Sequence, residues 1–306
     1  MKAELVFIGI TMVFLGSVIL YEYGSPKADH GRVEITPETL MIGNTNPTLW
    51  LFYNTSDVNS RHWLDFGARS SYAINIPLLN LLYERILQLN GKQYNVRVLS
   101  GLSGVAELLG GWEHLPSRLQ KEKARVYVAE EDWIRTAILA KFGGLWLSPS
   151  VVALRPFGPL PKDRIVTYGQ DAGPGPCIWV PTAGNPIFIE WEKRIRRRLE
   201  EQTGGFQIRG DSASDWPELA EGTTQTLEFR PMEELSRKKG KKLELEDIFA
   251  TGTEGRLPFD IPSSATYMVI PYDDLLQRSA WGWVLRMSEE QILSSDLALS
   301  HILSRK

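Results

Sequence analysis

The chain has 306 residues, of which 43% are hydrophobic and 23% are charged, a composition typical of a globular protein. Its formal net charge of −3 gives no general attraction for nucleic acid, so we expect no nucleic-acid partner. The single cysteine, Cys177, excludes an intramolecular disulfide.

The first predicted element is an apolar segment near the N-terminus. Residues 5–21 contain no charged side chain, and this length is at the short end of the roughly 17–25 residues that cross a bilayer. The alternative is a cleaved signal peptide, but its apolar region is usually shorter, and no clear cleavage site follows. We therefore predict a single-pass membrane anchor at residues 1–23. Residues 24–46, which are rich in Gly, Pro and Thr, are predicted to form a stem or linker.

A globular domain is predicted over residues 47–306, and it opens with alternating strands and helices. Apolar periodicity and terminal Gly or Pro residues predict strands at Thr48–Tyr53, Tyr94–Leu99 and Ala124–Val128, and helices at Pro77–Leu89 and Leu102–Leu109. This alternation is typical of an α/β fold with a Rossmann-type parallel sheet. The chain has no G-x-G-x-x-G sequence, which argues against a dinucleotide ligand.

The next helix is predicted over residues 130–142 and carries a polar pair. Asp132 and Arg135 lie on the same face of this helix because they are three residues apart. Taken alone, such a pair is usually a surface ion pair that contributes less than about 1 kcal/mol. What makes it a candidate site is the sequence that follows it.

That sequence is a double glycine followed by a short strand. Gly143 and Gly144 end the helix, and the apolar residues 145–147 predict a buried strand. The strand should stop before Pro149, which cannot donate a hydrogen bond to a sheet. Residues 148–150 are therefore placed at the carboxyl end of a strand, where open α/β sheets bind their ligands.

The remaining elements continue the α/β pattern. Gly- and Pro-rich residues 169–176 predict a loop beside the site, and the later elements are strands Cys177–Val180 and Thr266–Ile270 and helices 185–201 and 288–302. The helix at 185–201 has a basic face, but Glu192 and Arg196 at i,i+4 favour an ion-paired, solvated helix. Contact with an anionic membrane surface is the alternative.

The central segment resembles the DXD-containing sugar-transferase family, which includes capsular polysaccharide synthesis proteins and initiating mannosyltransferases. Members of that family have Asp-x-x-Arg on a helix, then Gly-Gly, an aromatic-containing strand and Asp-x-Asp. The residues that match in order and spacing are Asp132, Arg135, Gly143, Gly144 and Trp146. Ser148 and Ser150 stand where the family has its two aspartates.

The resemblance implies a GT-A-like, Rossmann-type fold that binds a nucleotide sugar. It implies that Asp132 and Arg135 hold hydroxyl groups of the donor sugar. It also implies that an aromatic residue of the first strand lies near the nucleotide base, and Trp50 matches that position best. From its sequence position alone, Trp50 is equally well interpreted as a core residue.

The metal-binding part of the family motif is degenerate here. Mn²⁺ and Mg²⁺ prefer anionic oxygen ligands, whereas the hydroxyl groups of Ser148 and Ser150 are neutral. A Mn²⁺ or Mg²⁺ cofactor is therefore disfavoured, and we assign no metal ligand.

Three interpretations of the degenerate motif remain open. Cationic side chains can stabilise a leaving diphosphate without a metal, and Arg61, Arg69 and Arg155 are the candidates. A carboxylate from elsewhere, such as Asp171 or Glu131, can replace the missing pair. The third interpretation is a site that binds sugars without turning them over.

The resemblance therefore predicts a retaining glycosyltransferase that moves a hexose from a nucleotide sugar to a glycan or polysaccharide acceptor. A short tail before one anchor is similar to the layout of Golgi-type transferases, so we expect the globular domain on the lumenal or extracytoplasmic side. The alternative is a non-catalytic, membrane-anchored sugar-binding or scaffold protein with a degenerate transferase fold.

Overall fold

The computed structural model describes residues 46–54, 58–59, 74–121, 124, 126–169, 175–201, 215–221, 226–231, 236–237, 241–252, 257–263, 265–270, 275 and 279–305. The predicted anchor at 1–23, and all but the last residue of the predicted stem at 24–46, lie outside these ranges. Within the described part of the chain, no helix is long and apolar enough to cross a membrane.

The secondary structure comprises short strands and helices of up to about four turns. The strands are β1 (Thr48–Tyr53), β2 (Val58–Asn59), β3 (Ile74–Asn75), β4 (Asn95–Ser100), β5 (Gly144–Leu147), β6 (Val151–Ala153), β7 (Arg164–Gly169), β8 (Cys177–Val180), β9 (Thr226–Pro231), β10 (Ser236–Arg237), β11 (Lys241–Lys242) and β12 (Tyr267–Val269). The helices are α1 (Ile76–Asn90), α2 (Gly101–Leu109), α3 (Val128–Phe142), α4 (Pro186–Glu201), α5 (Trp216–Glu221), α6 (Leu245–Ile248), α7 (Glu289–Ser294) and α8 (Ala298–Leu303).

The main sheet has six strands in the order β4-β1-β5-β8-β7-β9. Strand β1 runs parallel to both β4 and β5, and β7 runs parallel to β9. Strand β8 is antiparallel to both of its neighbours, β5 and β7. The fold is therefore mixed α/β with parallel strands in the sheet, which confirms the predicted α/β class and the parallel pairing of the strands predicted at Thr48–Tyr53 and Tyr94–Leu99.

Both faces of the main sheet are buried, as the continuous apolar sequence of β1 requires. Trp50 and Phe52 project into a core formed with α2, α3 and α4, whereas Leu49 and Leu51 belong to a second core on the opposite face. A third apolar cluster joins α1 to α6, α7 and α8. The sheet is thus a middle layer between these two cores.

The strand predicted at Ala124–Val128 is wrong in its described part, because Val126 and Tyr127 are not in a strand and Val128 begins α3. The Glu130 carboxylate accepts a hydrogen bond from the Tyr127 backbone N–H at 2.8 Å. This capping arrangement starts a helix at the point where apolar alternation had suggested a strand.

The single helix predicted over residues 288–302 is divided into α7 and α8. Between them, the backbone pairs with another segment instead of continuing the helix: Gly252 N–H donates to the Asp296 carbonyl at 2.7 Å, and Ala298 N–H donates to the Ala250 carbonyl at 2.9 Å. These tertiary hydrogen bonds replace helical ones, and no local sequence pattern indicates them.

Candidate functional site

The geometry of the site follows from the tight joint between α3 and β5. Helix α3 rises roughly 15 Å from Asp132 to its end, and the chain returns roughly 13 Å along β5 to Ser148. The first turns of α3 and the carboxyl end of β5 therefore lie at the same edge of the sheet. This places Asp132 and Arg135 beside the Ser148 position, as the sequence motif predicts.

A cleft of about 270 Å³ lies at this edge. Its lining residues come from α3, from β5 and its end, and from the two residues just before β8: Glu131, Asp132, Arg135, Trp146, Ser148, Gly175 and Pro176. Because β8 is antiparallel to β5, its beginning reaches the edge where β5 ends. The Ser148 backbone N–H donates to the Pro176 carbonyl at 2.8 Å, which fixes that wall of the cleft.

Arg135 is held in the cleft by several contacts. It is 9% exposed, and its Nη2 lies 2.8 Å from Oδ1 of Asp132. Its Nη1 donates to the Gly175 carbonyl at 3.5 Å, and its guanidinium carbon lies 5.5 Å from the centroid of the Trp191 ring. The Arg135 Nε is buried and has no hydrogen-bond partner among the described residues. The guanidinium is thus held in place while one of its donors is unused.

Trp191, on α4, is a supporting residue that the sequence analysis missed. It is fully buried and packs against Phe188 and Trp216 as well as against the Arg135 guanidinium. Its only sequence signal is its place on the apolar face of an amphipathic helix, which by itself predicts a core residue.

Ser148 and Ser150 are hydrogen-bonded to each other. Their Oγ atoms are 2.8 Å apart, and the turn is tied down by the Val151 N–H donating to the Ser148 carbonyl at 3.0 Å. The Ser150 carbonyl also accepts from the Ile270 N–H at 2.9 Å, and Ser150 is buried. The two hydroxyls therefore form a compact, neutral pair at the carboxyl end of β5.

This donor set does not fit a divalent cation. The serines offer neutral oxygens, and the Asp132 carboxylate is already paired with Arg135. Within the described part of the chain, no group of three or more His, Cys, Asp or Glu side chains is arranged to hold a metal ion. We therefore assign no reaction step to Mn²⁺ or Mg²⁺.

Trp50 is placed in the core, which does not fit a role in lining the nucleotide base. Its side chain is 1% exposed, and its Nε1 donates to the Gly143 carbonyl at 2.8 Å. Its ring also packs against Phe142, with the two centroids 5.7 Å apart. No ring face is left for a base, and the indole instead fastens the joint between α3 and β5.

The predicted diphosphate-stabilising arginines are not brought to the cleft in the described structure. Arg155 is exposed and follows β6, where its backbone N–H donates to the Thr266 carbonyl at 3.1 Å, and it does not line the cleft. Arg61 and Arg69 lie outside the described residues, as does Asp171. Among the residues that the structure describes, Arg135 is the one cationic side chain in the cleft. Glu131, which the sequence analysis proposes as a replacement carboxylate, does line the cleft.

Comparison with known proteins gives little further information. No protein-family model matches the chain. No curated protein matches it either. A solved structure titled PaToxG Glycosyltransferase aligns over 57% of this chain and 70% of that chain, with 15% sequence identity and a TM-score of 0.37. A likeness this distant does not indicate a shared function.

Proposed function

We propose that residues 47–306 form a GT-A-like, Rossmann-type glycosyltransferase domain that binds a nucleotide sugar in the cleft. The reaction would transfer a hexose to a glycan or polysaccharide acceptor with retention of configuration. Residues 1–23 would anchor the protein in a membrane, with the domain on the lumenal or extracytoplasmic side.

The observation that supports this proposal is the Asp132–Arg135 pair at the wall of the cleft. The Asp132 carboxylate is a hydrogen-bond acceptor, and the Arg135 guanidinium, whose Nη2 lies 2.8 Å from Oδ1 of Asp132, is a hydrogen-bond donor. Neighbouring hydroxyls of a sugar can donate to the first and accept from the second. Because Gly175 and Trp191 already hold the guanidinium, little of its side-chain freedom is lost when a sugar binds.

The size of the cleft indicates which part of the donor it holds. Its volume of about 270 Å³ is just below the roughly 300–1,000 Å³ that is usual for small-molecule pockets. The cleft therefore suits the hexose, and the nucleotide would extend along the sheet edge. Arg61 and Arg69 remain the proposed groups that stabilise the leaving diphosphate, and Arg155 is omitted because it does not line the cleft.

A non-catalytic sugar-binding protein is the second candidate, and the charge of the cleft favours it. The lining side chains in the described structure carry two carboxylates, those of Glu131 and Asp132, against one guanidinium. A diphosphate leaving group needs positive charge near it, whereas a neutral sugar does not. Release of the free nucleotide from a donor separates the two candidates, because a binding protein releases none.

The test is calorimetric titration of the full-length protein with UDP- and GDP-sugars, once with Mn²⁺ and once with EDTA. We expect binding of at least one donor that survives EDTA and that weakens about tenfold or more in Asp132→Asn, because a charged hydrogen bond is lost. The matched control is Asp163→Asn, which alters an exposed carboxylate 2.9 Å from Arg164 and outside the cleft lining. Equal donor affinity in Asp132→Asn and wild type would show that the cleft is not the donor site.

A further inference from the structure

A second pocket, of about 350 Å³, lies beside the C-terminal helices and is not used by the proposed donor site. It is lined by Trp283, Arg286, Met287, Gln291 and Ser294. We call it the Trp283 pocket. Its lining combines one aromatic ring with a guanidinium, a carboxamide and a hydroxyl.

Trp283 is a large aromatic side chain left in contact with solvent. It is 38% exposed, whereas the tryptophans Trp50, Trp133, Trp146 and Trp191 are buried. The Trp283 ring is backed by Trp281, with centroids 6.3 Å apart, and Trp281 packs in turn against Phe249 at 5.4 Å. The exposed indole is therefore a supported platform.

The polar groups of the pocket are fixed by the backbone around them. The Arg286 Nε donates to the Gly282 carbonyl at 2.8 Å, and the Gln291 Oε1 accepts from the Ser288 N–H at 2.9 Å. The Gln291 carboxamide is thus oriented, and its NH₂ donor has a set direction. Polar groups held in this way lose less side-chain freedom when a ligand binds.

The pocket lies near the same edge of the main sheet as the donor cleft, although it belongs to the opposite side. Helix α1 ends just before β4, which is parallel to β1, so α1 ends at the amino edge of these strands and begins toward their carboxyl edge. Asn80, in the second turn of α1, donates from Nδ2 to Oε1 of Glu289, the first residue of α7, at 3.0 Å. This contact holds the start of α7, and with it the Trp283 pocket, near that edge.

We propose that the Trp283 pocket is a carbohydrate subsite that holds a pyranose ring of the acceptor glycan, an inference that rests on the proposed transferase function. One face of a pyranose carries C–H groups that pack on an indole, and its hydroxyl groups require donors and acceptors around the ring. The Trp283 ring supplies the first, and Arg286, Gln291 and Ser294 supply the second.

Saturation-transfer NMR on the full-length protein tests the proposal, with maltotriose, cellotriose, mannotriose and trigalacturonic acid as probes. We expect at least one trisaccharide to bind the wild type and to bind about tenfold more weakly to Trp283→Ala. Trp283→Phe, which keeps an aromatic face, should stay within about threefold of wild type. The control is Leu293→Ala, because Leu293 is similarly exposed on α7 at 42% and does not line the pocket.

Two results would overturn the proposal: binding of none of the four trisaccharides to the wild type, or equal binding to wild type and Trp283→Ala. The donor titration is run on the same variants, so that this failure can be distinguished from failure of the proposed function. Trp283→Ala should keep its nucleotide-sugar affinity, and Asp132→Asn should keep its trisaccharide affinity. If neither the wild type nor any variant binds a nucleotide sugar while trisaccharide binding is intact, the transferase function is contradicted, and the Trp283 pocket is a sugar site but not an acceptor subsite.

Discussion

The Asp132 carboxylate lies 2.8 Å from the Arg135 guanidinium, and the two side chains are 16% and 11% exposed. In the sequence, the same pair has the spacing of an ordinary surface ion pair. Burial changes its energetics, because removal of one partner leaves the other charge poorly solvated and unpaired.

Asp132→Ala is therefore expected to destabilise the fold as well as weaken donor binding. We expect the free energy of unfolding to fall by about 2–4 kcal/mol, measured by urea denaturation. Asp163→Ala, which breaks the exposed pair with Arg164, should change it by less than about 0.5 kcal/mol. An equal, small effect of both substitutions would show that the Asp132 pair behaves as a surface ion pair.

The serine pair allows a second test at single residues. Ser148→Asp combined with Ser150→Asp puts two carboxylates where two hydroxyl oxygens are now 2.8 Å apart, in a cleft that already contains Glu131 and Asp132. We expect the melting temperature to fall by several degrees in EDTA, because like charges repel there, and to rise again with Mn²⁺. Wild type in the same buffers is the control. The absence of any Mn²⁺ effect on the double variant would contradict the alignment of residues 148–150 with the family motif.

At the scale of elements, the α3–β5 joint depends on two glycines with positive φ. Gly143 and Gly144 have φ values of +66° and +102°, a backbone conformation that residues other than glycine rarely adopt. A Cβ on Gly144 would lie 2.5 Å from the Thr48 carbonyl oxygen and 2.8 Å from the Trp50 Nε1. The joint therefore requires glycine for space as well as for conformation.

Gly144→Ala should lower the free energy of unfolding by about 3 kcal/mol or more, since it adds a backbone clash to the strain of a positive φ. Gly158→Ala is the matched control: Gly158 also has a positive φ, +68°, but no atom lies within 4 Å of an added Cβ. Its loss should be only about 1–2 kcal/mol. Urea denaturation of both variants gives the comparison, and equal losses would mean that conformation alone requires glycine at 144.

The elements also show where sequence reasoning succeeds. Strand β1 occupies the predicted Thr48–Tyr53, because a β-branched and aromatic run buried on both faces has few other interpretations. The predicted Glu192–Arg196 pair on α4 is confirmed at 2.8 Å, since it depends only on helical spacing. By contrast, the division between α7 and α8 depends on hydrogen bonds to residues 250–252, which local periodicity cannot indicate.

The same distinction applies to the candidate site. The neighbourhood of Asp132, Arg135 and Ser148 follows from one helix, one turn and one strand, so it could be predicted. The support from Trp191, and the burial of Trp50 behind the Gly143 carbonyl, depend on how distant elements pack. Sequence distance gives no information about such contacts.

At the scale of the whole molecule, Arg85 joins three parts of the chain. Its buried guanidinium donates to the Ala153 carbonyl at 3.3 Å, to the Gln88 Oε1 at 3.0 Å and to the Arg305 carbonyl. Burial, and then the positive charge of Arg305, lower the pKa of Arg85. Helix α1, the end of β6 and the segment after α8 are thereby fixed to one another.

Arg85→Met should lower the free energy of unfolding by about 2–3 kcal/mol, because it leaves the Ala153 and Arg305 carbonyls without this donor. Arg305→Ala is the control, since it keeps the backbone carbonyl and removes only the repelling charge, so stability should be unchanged or slightly higher. Chemical denaturation measures both variants. A large loss in Arg305→Ala would show that the Arg305 side chain itself, and not its carbonyl, supports the fold.

The position of β5 inside the sheet determines how rarely the cleft lined by Asp132 and Arg135 opens at its floor. All four of its residues are buried, and the strand pairs with β1 on one side and β8 on the other. Amide hydrogens held in this way exchange with solvent deuterium only when the whole domain opens. The exchange rate at Trp146 would therefore report the lifetime of the folded domain, and faster exchange near Gly175 would show that the cleft opens at its wall while its floor stays closed.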